Sequence, residues 1–282
     1  MVLRTGDAGD AVKALQRDLN KLGSMLLIDG QFGTGTSQAI VEGRQALALP
    51  GPPEADDAFQ AAVAATPDPI PPLTAAGLTF IARAEVSSAS AYRKKYQTPC
   101  LPPPPSGITI GIGYDCQFVS RAQLEADWAG ALPPAAVEQL AAVIGQVGSP
   151  DLLALVNGVV VPLVAAMTVF ATRSLPAYLE KTRSIYPQVD DVPAARRTAL
   201  VSLVYNRGTR LTDKDDVRQD RLEMRAIRDR LTSGDPAQIA AVADQFIAMT
   251  RLWDPAKAPG LIQRRRDEAT LWREGFAALQ LD

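Results

Sequence analysis

Residues 85–115 read EVSSASAYRKKYQTPCLPPPPSGITIGIGYD. The stretch opens on a carboxylic acid, Glu85, which lies late in an apolar segment, and closes on a second carboxylate, Asp115. Between them a proline-rich loop leads into residues 108–114, where β-branched side chains alternate with glycine. This alternation predicts a short strand with close backbone approach. The stretch therefore predicts a loop and a tight strand that bring two carboxylates together.

Glu85 continues the apolar face that Leu78 and Ile81 form on a helix for which Thr74 is a suitable N-cap. We therefore expect its side chain to point inward, although a glutamate at a helix end can also face solvent. Burial against apolar neighbours raises the pKa of a carboxyl group, as a general acid near neutral pH requires. Glycosidic bond cleavage combines such an acid with an ionised carboxylate, for which Asp115 is the candidate.

The absence of histidine narrows the chemistry that is open to this chain of 282 residues. Histidine is the most common metal ligand and the usual base beside a catalytic Ser or Cys. Zinc peptidases, zinc amidases, Cys-His peptidases and Ser-His-Asp hydrolases are therefore excluded, and we expect no metal or cofactor. The net charge of −2 gives no electrostatic case for a nucleic-acid partner.

Two cysteines, Cys100 and Cys116, lie on either side of Thr109. They are either two small, partly buried thiols or a disulfide that joins the proline loop to the end of the strand. A disulfide would imply an oxidising compartment. The sequence leaves both alternatives open.

Residues 152–171 carry no charge and approach the length of a membrane-spanning helix. Because Asn157-Gly158 and Pro162 interrupt them, we predict a buried hairpin or helix pair and no membrane insertion. The N-terminal residues lack the basic start, apolar core and cleavage site of a secretory signal. We therefore expect synthesis in the cytoplasm without a signal peptide, and a separate route to any site of action outside it.

Residues 3–63 predict a compact first unit. Apolar residues at helical spacing follow Asp10, a suitable N-cap, and predict a helix that ends at Gly23. A glycine-dense loop over residues 29–36 contains one aromatic residue to bury, Phe32. Two further helices are predicted over about 37–48 and 57–64.

The series Gly6-Asp7-x-Gly9-x-x-Val12-x-x-Leu15-Gln16, followed by Asp29-Gly30-x-Phe32-Gly33-x-Gly35-Thr36, resembles the three-helix type of peptidoglycan-binding domain. The resemblance covers nearly the whole first unit and implies bacterial peptidoglycan as the partner, with Asp29 and Phe32 as substrate-binding residues. Without it, the unit is a small helical domain whose glycines make turns. A stiff proline-rich connector follows, so the predicted domains are 1–65, a linker 66–74, and 75–282.

The run Thr109-Ile-Gly-Ile-Gly113 resembles the signature of phage-type lysozymes, the muramidases of glycoside hydrolase family 24. Their second carboxylate commonly precedes the Thr, but the loop over residues 100–106 offers no acid. The pesticin-like branch instead places an Asp six residues after the Thr, where Asp115 stands. The resemblance implies Glu85, Thr109 and Asp115 as catalytic residues, with Tyr114 as a substrate-binding residue.

Two segments nearer the C-terminus also resemble this family. A predicted helix over Arg196–Tyr205 runs into Asn206-Arg207-Gly208, where Asn206 is a substrate-binding residue, a helix cap, or both. An arginine triplet, residues 264–266, could meet an anionic glycan, but such arginines more often pair with nearby acids. The charge-dense residues 213–230 predict a solvated helix with Glu223 on its surface.

Together the resemblances imply a mainly α fold, in which a three-helix peptidoglycan-binding domain is joined to an α+β lysozyme-like domain with a small β-hairpin lobe. They imply a monomeric, inverting muramidase that acts on the cell wall, either as a phage endolysin released through a holin or as an exported effector or bacteriocin-type toxin. A non-catalytic wall-binding or structural protein is the alternative from another class. A lytic transglycosylase is a closer rival, but it uses one Glu and no water, so Asp115 argues against it.

Overall fold

The computed structural model describes residues 1–68, 73–214 and 219–282, and helices dominate them, which confirms the mainly α class. The chain folds as two units: Met1–Pro71 with Leu78–Leu175, and Pro72–Gly77 with Pro176–Asp282. The first unit crosses the predicted linker 66–74, of which residues 69–72 lie outside the described residues. The division into a binding domain, a linker and a catalytic domain stays a prediction.

The first unit begins with α1 (Asp10–Lys21), α2 (Thr34–Ala46) and α3 (Asp57–Ala64). We call residues 1–66 the three-helix module. The helices surround one apolar core, which includes Val12, Leu15, Leu19, Phe32, Ile40 and Phe59. The module therefore buries its own hydrophobic residues, as the sequence spacing predicts.

Helix caps in the module differ in part from expectation. The prediction that Asp10 is the N-cap of α1 is wrong, because Gly9 occupies that position and Asp10 is the first helical residue. Asp56 caps α3 by accepting a hydrogen bond from the Phe59 N–H at 2.8 Å. That bond, with the neighbouring Arg44 guanidinium, lowers the pKa of Asp56.

The remaining helices that lie at least partly in the first unit precede or follow a small β-hairpin along the chain. Thr74 caps the first of them, as predicted, because its hydroxyl accepts from the Gly77 N–H at 3.2 Å. Ser120 caps α6 (Arg121–Trp128) in the same way, because its hydroxyl accepts from the Gln123 N–H at 3.1 Å. The helices are α4 (Ala75–Val86), α5 (Ala89–Lys95), α6 (Arg121–Trp128), α7 (Pro134–Ala141), α8 (Pro150–Val156), α9 (Leu163–Val169) and α10 (Leu175–Ile185).

The uncharged stretch 152–171 contains two helices, which confirms the helix pair, but its predicted burial is confirmed only in part because Leu155 and Val160 are 54% and 51% exposed. Helix α8 ends at Val156, directly before Asn157-Gly158, and α9 begins at Leu163, directly after Pro162. In the part of the chain that the structure describes, every helix is too short or too polar to cross a membrane.

The second unit contains α11 (Ala194–Arg207), α12 (Leu222–Thr232), α13 (Pro236–Ala240), α14 (Val242–Ala248) and α15 (Pro259–Glu274). Two of the three arginines at 264–266 are buried on α15, where the Arg265 guanidinium lies 2.6 Å from the Glu268 carboxylate. This confirms, for Arg264 and Arg265, the expectation that the arginines pair with nearby acids.

The prediction that Glu223 lies on the surface is wrong. Its side chain is buried, and the Arg251 guanidinium binds its carboxylate at 2.6 Å. The charge-dense segment begins its helix only at Leu222. Residues 215–218 of the predicted helix lie outside the described residues.

Candidate active site

The hairpin consists of β1 (Thr109–Ile110) and β2 (Tyr114–Asp115), which pair antiparallel with Thr109 opposite Asp115. Three turn residues join them, and two are glycines with positive φ, Gly111 at 58° and Gly113 at 71°. A Cβ on Gly111 would lie only 3.2 Å from the Trp128 ring. The glycine alternation in the sequence therefore serves the turn and its close packing.

Thr109 has a second neighbour, Cys100, on its other edge. The Thr109 N–H donates to the Cys100 carbonyl at 3.0 Å, and the Cys100 N–H donates to the Thr109 carbonyl at 2.9 Å. Because both backbone groups of Thr109 are used there, its pair with Asp115 is non-hydrogen-bonded, the kind in which side chains lie closer. The structure thus brings Thr109 and Asp115 together on one face of what we call the hairpin segment, residues 100–118.

The Asp115 carboxylate is held by two backbone N–H groups. Its Oδ1 accepts from Gln117 at 2.9 Å and from Gly107 at 3.0 Å, while Oδ2 has one longer contact, 3.3 Å, to the Gly107 N–H. An ionised carboxylate offers about four acceptor positions. The half-buried Asp115 is therefore oriented, and Oδ2 can still accept a hydrogen bond from a water molecule.

Glu85 lies one residue before the end of α4. The face it continues is buried, with Leu78 and Ile81 at 2% and 0% exposure, whereas Glu85 itself is half-buried. The predicted inward orientation is therefore met only in part, as a helix end allows. The role of Glu85 as an acid stays a prediction.

The two cysteines are free thiols, so the disulfide alternative is wrong. Cys100 lies opposite Thr109, whereas Cys116 donates its N–H to the Ile108 carbonyl at 2.9 Å. Since side chains alternate between the two faces of a strand, Cys100 shares the half-exposed face of Thr109 and Asp115, and Cys116 points to the buried face. Burial, followed by the charge of Asp115, raises the pKa of Cys116 to about 12.

Tyr114 also lies on the buried face, at 8% exposure. Its hydroxyl donates to Asp127 Oδ2 at 2.9 Å, and its ring packs edge-on against Trp128 with centroids 5.5 Å apart. Burial and the bond to Asp127 raise the pKa of this phenol. Tyr114 anchors the hairpin instead of presenting itself to a ligand, which corrects the prediction that it binds substrate.

The two predicted binding residues of the module have different surroundings. Phe32 is 2% exposed and belongs to the core, so its prediction as a substrate contact is corrected too. Asp29 is exposed, and its Oδ1 accepts from the Gln31 N–H and from the buried Gln16 amide, both at 2.8 Å. Gln16 in turn accepts from the Gly30 N–H at 2.9 Å, so Asp29 is part of a network that fixes the glycine loop.

Asn206 lies inside α11, half-buried, and α11 belongs to the second unit. Gly208 occupies the C-cap position, so the interpretation of Asn206 as the helix cap is wrong. Its role as a substrate contact stays a prediction.

A cavity of about 1100 Å³ in the first unit was not predicted from the sequence. It lies between the module and parts of α4, α5, α6 and α9. Its lining mixes apolar residues with polar side chains, because amides and hydroxyls from several helices face it. The polar lining includes Gln38, Glu42, Gln45, Arg93, Thr168 and Thr172. Only their spacing on α2 and α9 could have indicated it, and any solvated helix face has that spacing.

Residues 8–50 match one protein-family model, described as "Putative peptidoglycan binding domain". The three-helix module contains a peptidoglycan-binding domain. The match begins just before α1 and continues past the end of α2, so this peptidoglycan-binding module includes the loop at Asp29. The match supports peptidoglycan as a partner of the chain. No curated protein matches the chain.

Proposed function

We propose that this protein is a peptidoglycan hydrolase, a muramidase that cleaves the β-1,4 bond between N-acetylmuramic acid and N-acetylglucosamine. The observation that carries the proposal is one chain with a peptidoglycan-binding module and a hairpin that pairs Thr109 with an oriented Asp115. A module that holds the enzyme on an insoluble wall raises the local concentration of bonds to cleave.

In the proposed reaction, Glu85 gives its proton to the glycosidic oxygen as the bond to the anomeric carbon breaks. Asp115, with the Thr109 hydroxyl, positions a water molecule and takes its proton as the water oxygen bonds to that carbon. One water is consumed, and a new reducing end is formed. Attack from the opposite face inverts the configuration, for which carboxyl groups about 6.5–9.5 Å apart are typical.

The surroundings of Asp115 support its role as the base. Two N–H donors restrain Oδ1, whereas Oδ2 has only the 3.3 Å contact. Asp115 lies directly opposite Thr109, so the two side chains share one face of the hairpin. A base must lie within hydrogen-bond reach of the proton that it abstracts. A water bound between Oδ2 and the Thr109 hydroxyl would meet that condition.

Two biological settings suit this activity: a phage endolysin released through a holin, and an exported effector or bacteriocin-type toxin. In both, the chain is made in the cytoplasm and acts on the wall after dedicated release. The neighbouring genes distinguish them, because a holin gene indicates the first and an immunity gene indicates the second.

The test of the proposed chemistry is Glu85→Gln. We expect lysis of purified peptidoglycan to fall by about 10²–10⁴-fold, because the amide N–H is far too weak an acid to protonate the leaving oxygen. Binding to the same peptidoglycan should stay at the wild-type level. Substantial lytic activity in this variant would sink the assignment of Glu85.

A non-catalytic wall-binding protein is the second candidate, and one observation favours it. The bonds from Gly107 and Gln117 to Asp115 are also those of a residue that only anchors a turn. This candidate predicts that the wild-type protein binds peptidoglycan but releases no soluble fragments from it.

A further inference from the structure

The peptidoglycan-binding module is docked against the rest of the first unit by a bidentate ion pair. Arg93 on α5 donates from Nε and Nη2 to the two carboxylate oxygens of Glu42 on α2, at 2.7 and 2.8 Å. Both side chains are less than a quarter exposed. Bidentate pairs of this kind fix geometry as well as adding attraction, so α2 has a defined position relative to α5.

Backbone contact fixes a second point of docking. Gly23, which follows α1 with a φ of 83°, approaches α9 so closely that a Cβ there would lie 2.5 Å from the Met167 Cβ. Close by in sequence, the Met25 carbonyl accepts from Arg83 on α4 at 3.1 Å. The module is therefore seated on α4, α5 and α9 and not merely tethered to them.

The cavity of about 1100 Å³ lies along this junction. One wall is the end of α1 and a face of α2, and both belong to the matched residues 8–50. The facing wall is α9 with the end of α6. Drug-sized ligands occupy pockets of about 300–1000 Å³, so this cavity is large enough for a short oligomer.

The walls carry the groups that a peptidoglycan strand would need. Exposed amides, Gln38 and Gln45, project from α2. Two exposed hydroxyls line the facing wall, Thr168 on α9 and Thr172 in the helical turn that follows α9. The amides can donate to and accept from sugar hydroxyls, N-acetyl groups and peptide bonds. The Thr168 and Thr172 hydroxyls donate to the Val164 and Thr168 carbonyls at 2.8 Å, so they offer a ligand acceptor positions. Arg173 pairs with the Asp127 carboxylate at 3.3 Å, and its half-exposed guanidinium has further N–H groups that can meet a carboxylate of a stem peptide.

We propose that this cavity is the wall-binding site, and that it is composite: an N-acetylated disaccharide with its stem peptide binds between α2 of the module and α9. The inference deepens the proposed function, since it names where the substrate polymer is held, and it rests on the match of residues 8–50. Because α9 supplies half of the site, the module needs the rest of the first unit for full affinity.

The test is cosedimentation of the full chain with purified insoluble peptidoglycan. Thr168→Trp places an indole in the cavity and should weaken binding by about tenfold or more. The matched control is Thr34→Trp, which puts the same ring on an exposed position at the start of α2, within the glycine loop and outside the cavity. This control should bind like the wild type.

A second variant, Gln45→Ala, removes one amide without adding bulk and should weaken binding a few-fold, about the effect of one hydrogen bond. Its thermal melting should match that of the wild type, which separates lost contact from lost folding. Wild-type binding by Thr168→Trp would overturn the composite site. Loss of binding by Thr34→Trp alone would also overturn it and would place the ligand at the glycine loop.

Binding is measured without cleavage, so this outcome is independent of the muramidase proposal. A protein that releases no fragments but loses wall binding in Thr168→Trp keeps the composite site and rejects the enzyme. If the wild-type protein cleaves peptidoglycan and the Thr168→Trp variant binds it normally, the enzyme is supported and the composite site is rejected.

Discussion

The peptidoglycan-binding module and the hairpin segment are held together by different kinds of contact. The module folds around its own apolar core, and its glycine loop is fixed by Gln16, a neighbour on α1. Each strand of the hairpin segment is only two residues long. The position of the hairpin is fixed by contacts with Cys100 and Trp128 and by the two N–H groups that bind Asp115. The sequence pattern is therefore enough to predict a function for the module. For the hairpin segment, the proposed function depends on a few side chains, and experiments must distinguish a catalytic role of each from a structural one.

The largest expected effect in the hairpin segment comes from Asp115→Asn. An amide oxygen can still accept from Gly107 and Gln117, so thermal melting should change little. The amide is not a base, so release of reducing ends should fall by about 10²–10⁴-fold. If activity stays near the wild-type level, Asp115 is an anchor of the turn and not part of the chemistry.

Thr109→Ala should have an intermediate effect. It removes one hydroxyl that is proposed to hold the attacking water, a bond of about 1–1.5 kcal/mol, which corresponds to about tenfold in rate. Thr109→Ser restores the hydroxyl and serves as the control, so it should recover most of the activity. Equal losses in both variants would assign the effect to strand packing.

Gly111→Ala should destabilise the hairpin segment and spare the module. Alanine at a φ of 58° costs about 1–2 kcal/mol, and its Cβ would crowd the Trp128 ring at 3.2 Å. We expect a lower denaturant midpoint and reduced cleavage, with wall binding retained in cosedimentation without denaturant, where α9 stays folded. Loss of wall binding at the same denaturant concentration would show that the two regions unfold together.

The smallest effect is expected from reducing agents. Both thiols are free, and burial raises the pKa of Cys100 and of Cys116, so the reactive thiolate is scarce near neutral pH. Alkylation should therefore be slow and should accelerate as pH rises toward the raised pKa values. Activity and melting temperature should be the same with and without dithiothreitol, and a marked loss on reduction would indicate a disulfide.

The sequence predicts most where interactions are local. Helix α3 has its predicted bounds, 57–64, and a three-residue turn explains why Thr109 and Asp115, six residues apart, become partners. The face of Cys100 was not predictable, because its register is set across a proline loop without periodicity. Burial of Glu223 depends on Arg251, which is 28 residues away.

The candidate site shows the same limit. Tyr114 was expected at the substrate, but its partners Asp127 and Trp128 come from α6, and only the fold brings them to the hairpin. The cavity was not predicted for a similar reason, because its polar lining comes from separate segments, including α2 and residues 168–173, that only the fold places opposite one another.

The most direct measurement is product analysis after wild-type protein is incubated with purified peptidoglycan. We predict soluble fragments that end in reducing N-acetylmuramic acid, visible both in a reducing-end assay and by mass spectrometry. Anhydro-sugar ends would instead indicate a transglycosylase that uses no water. Bound protein with no released fragments would contradict the hydrolase and leave a wall-binding protein.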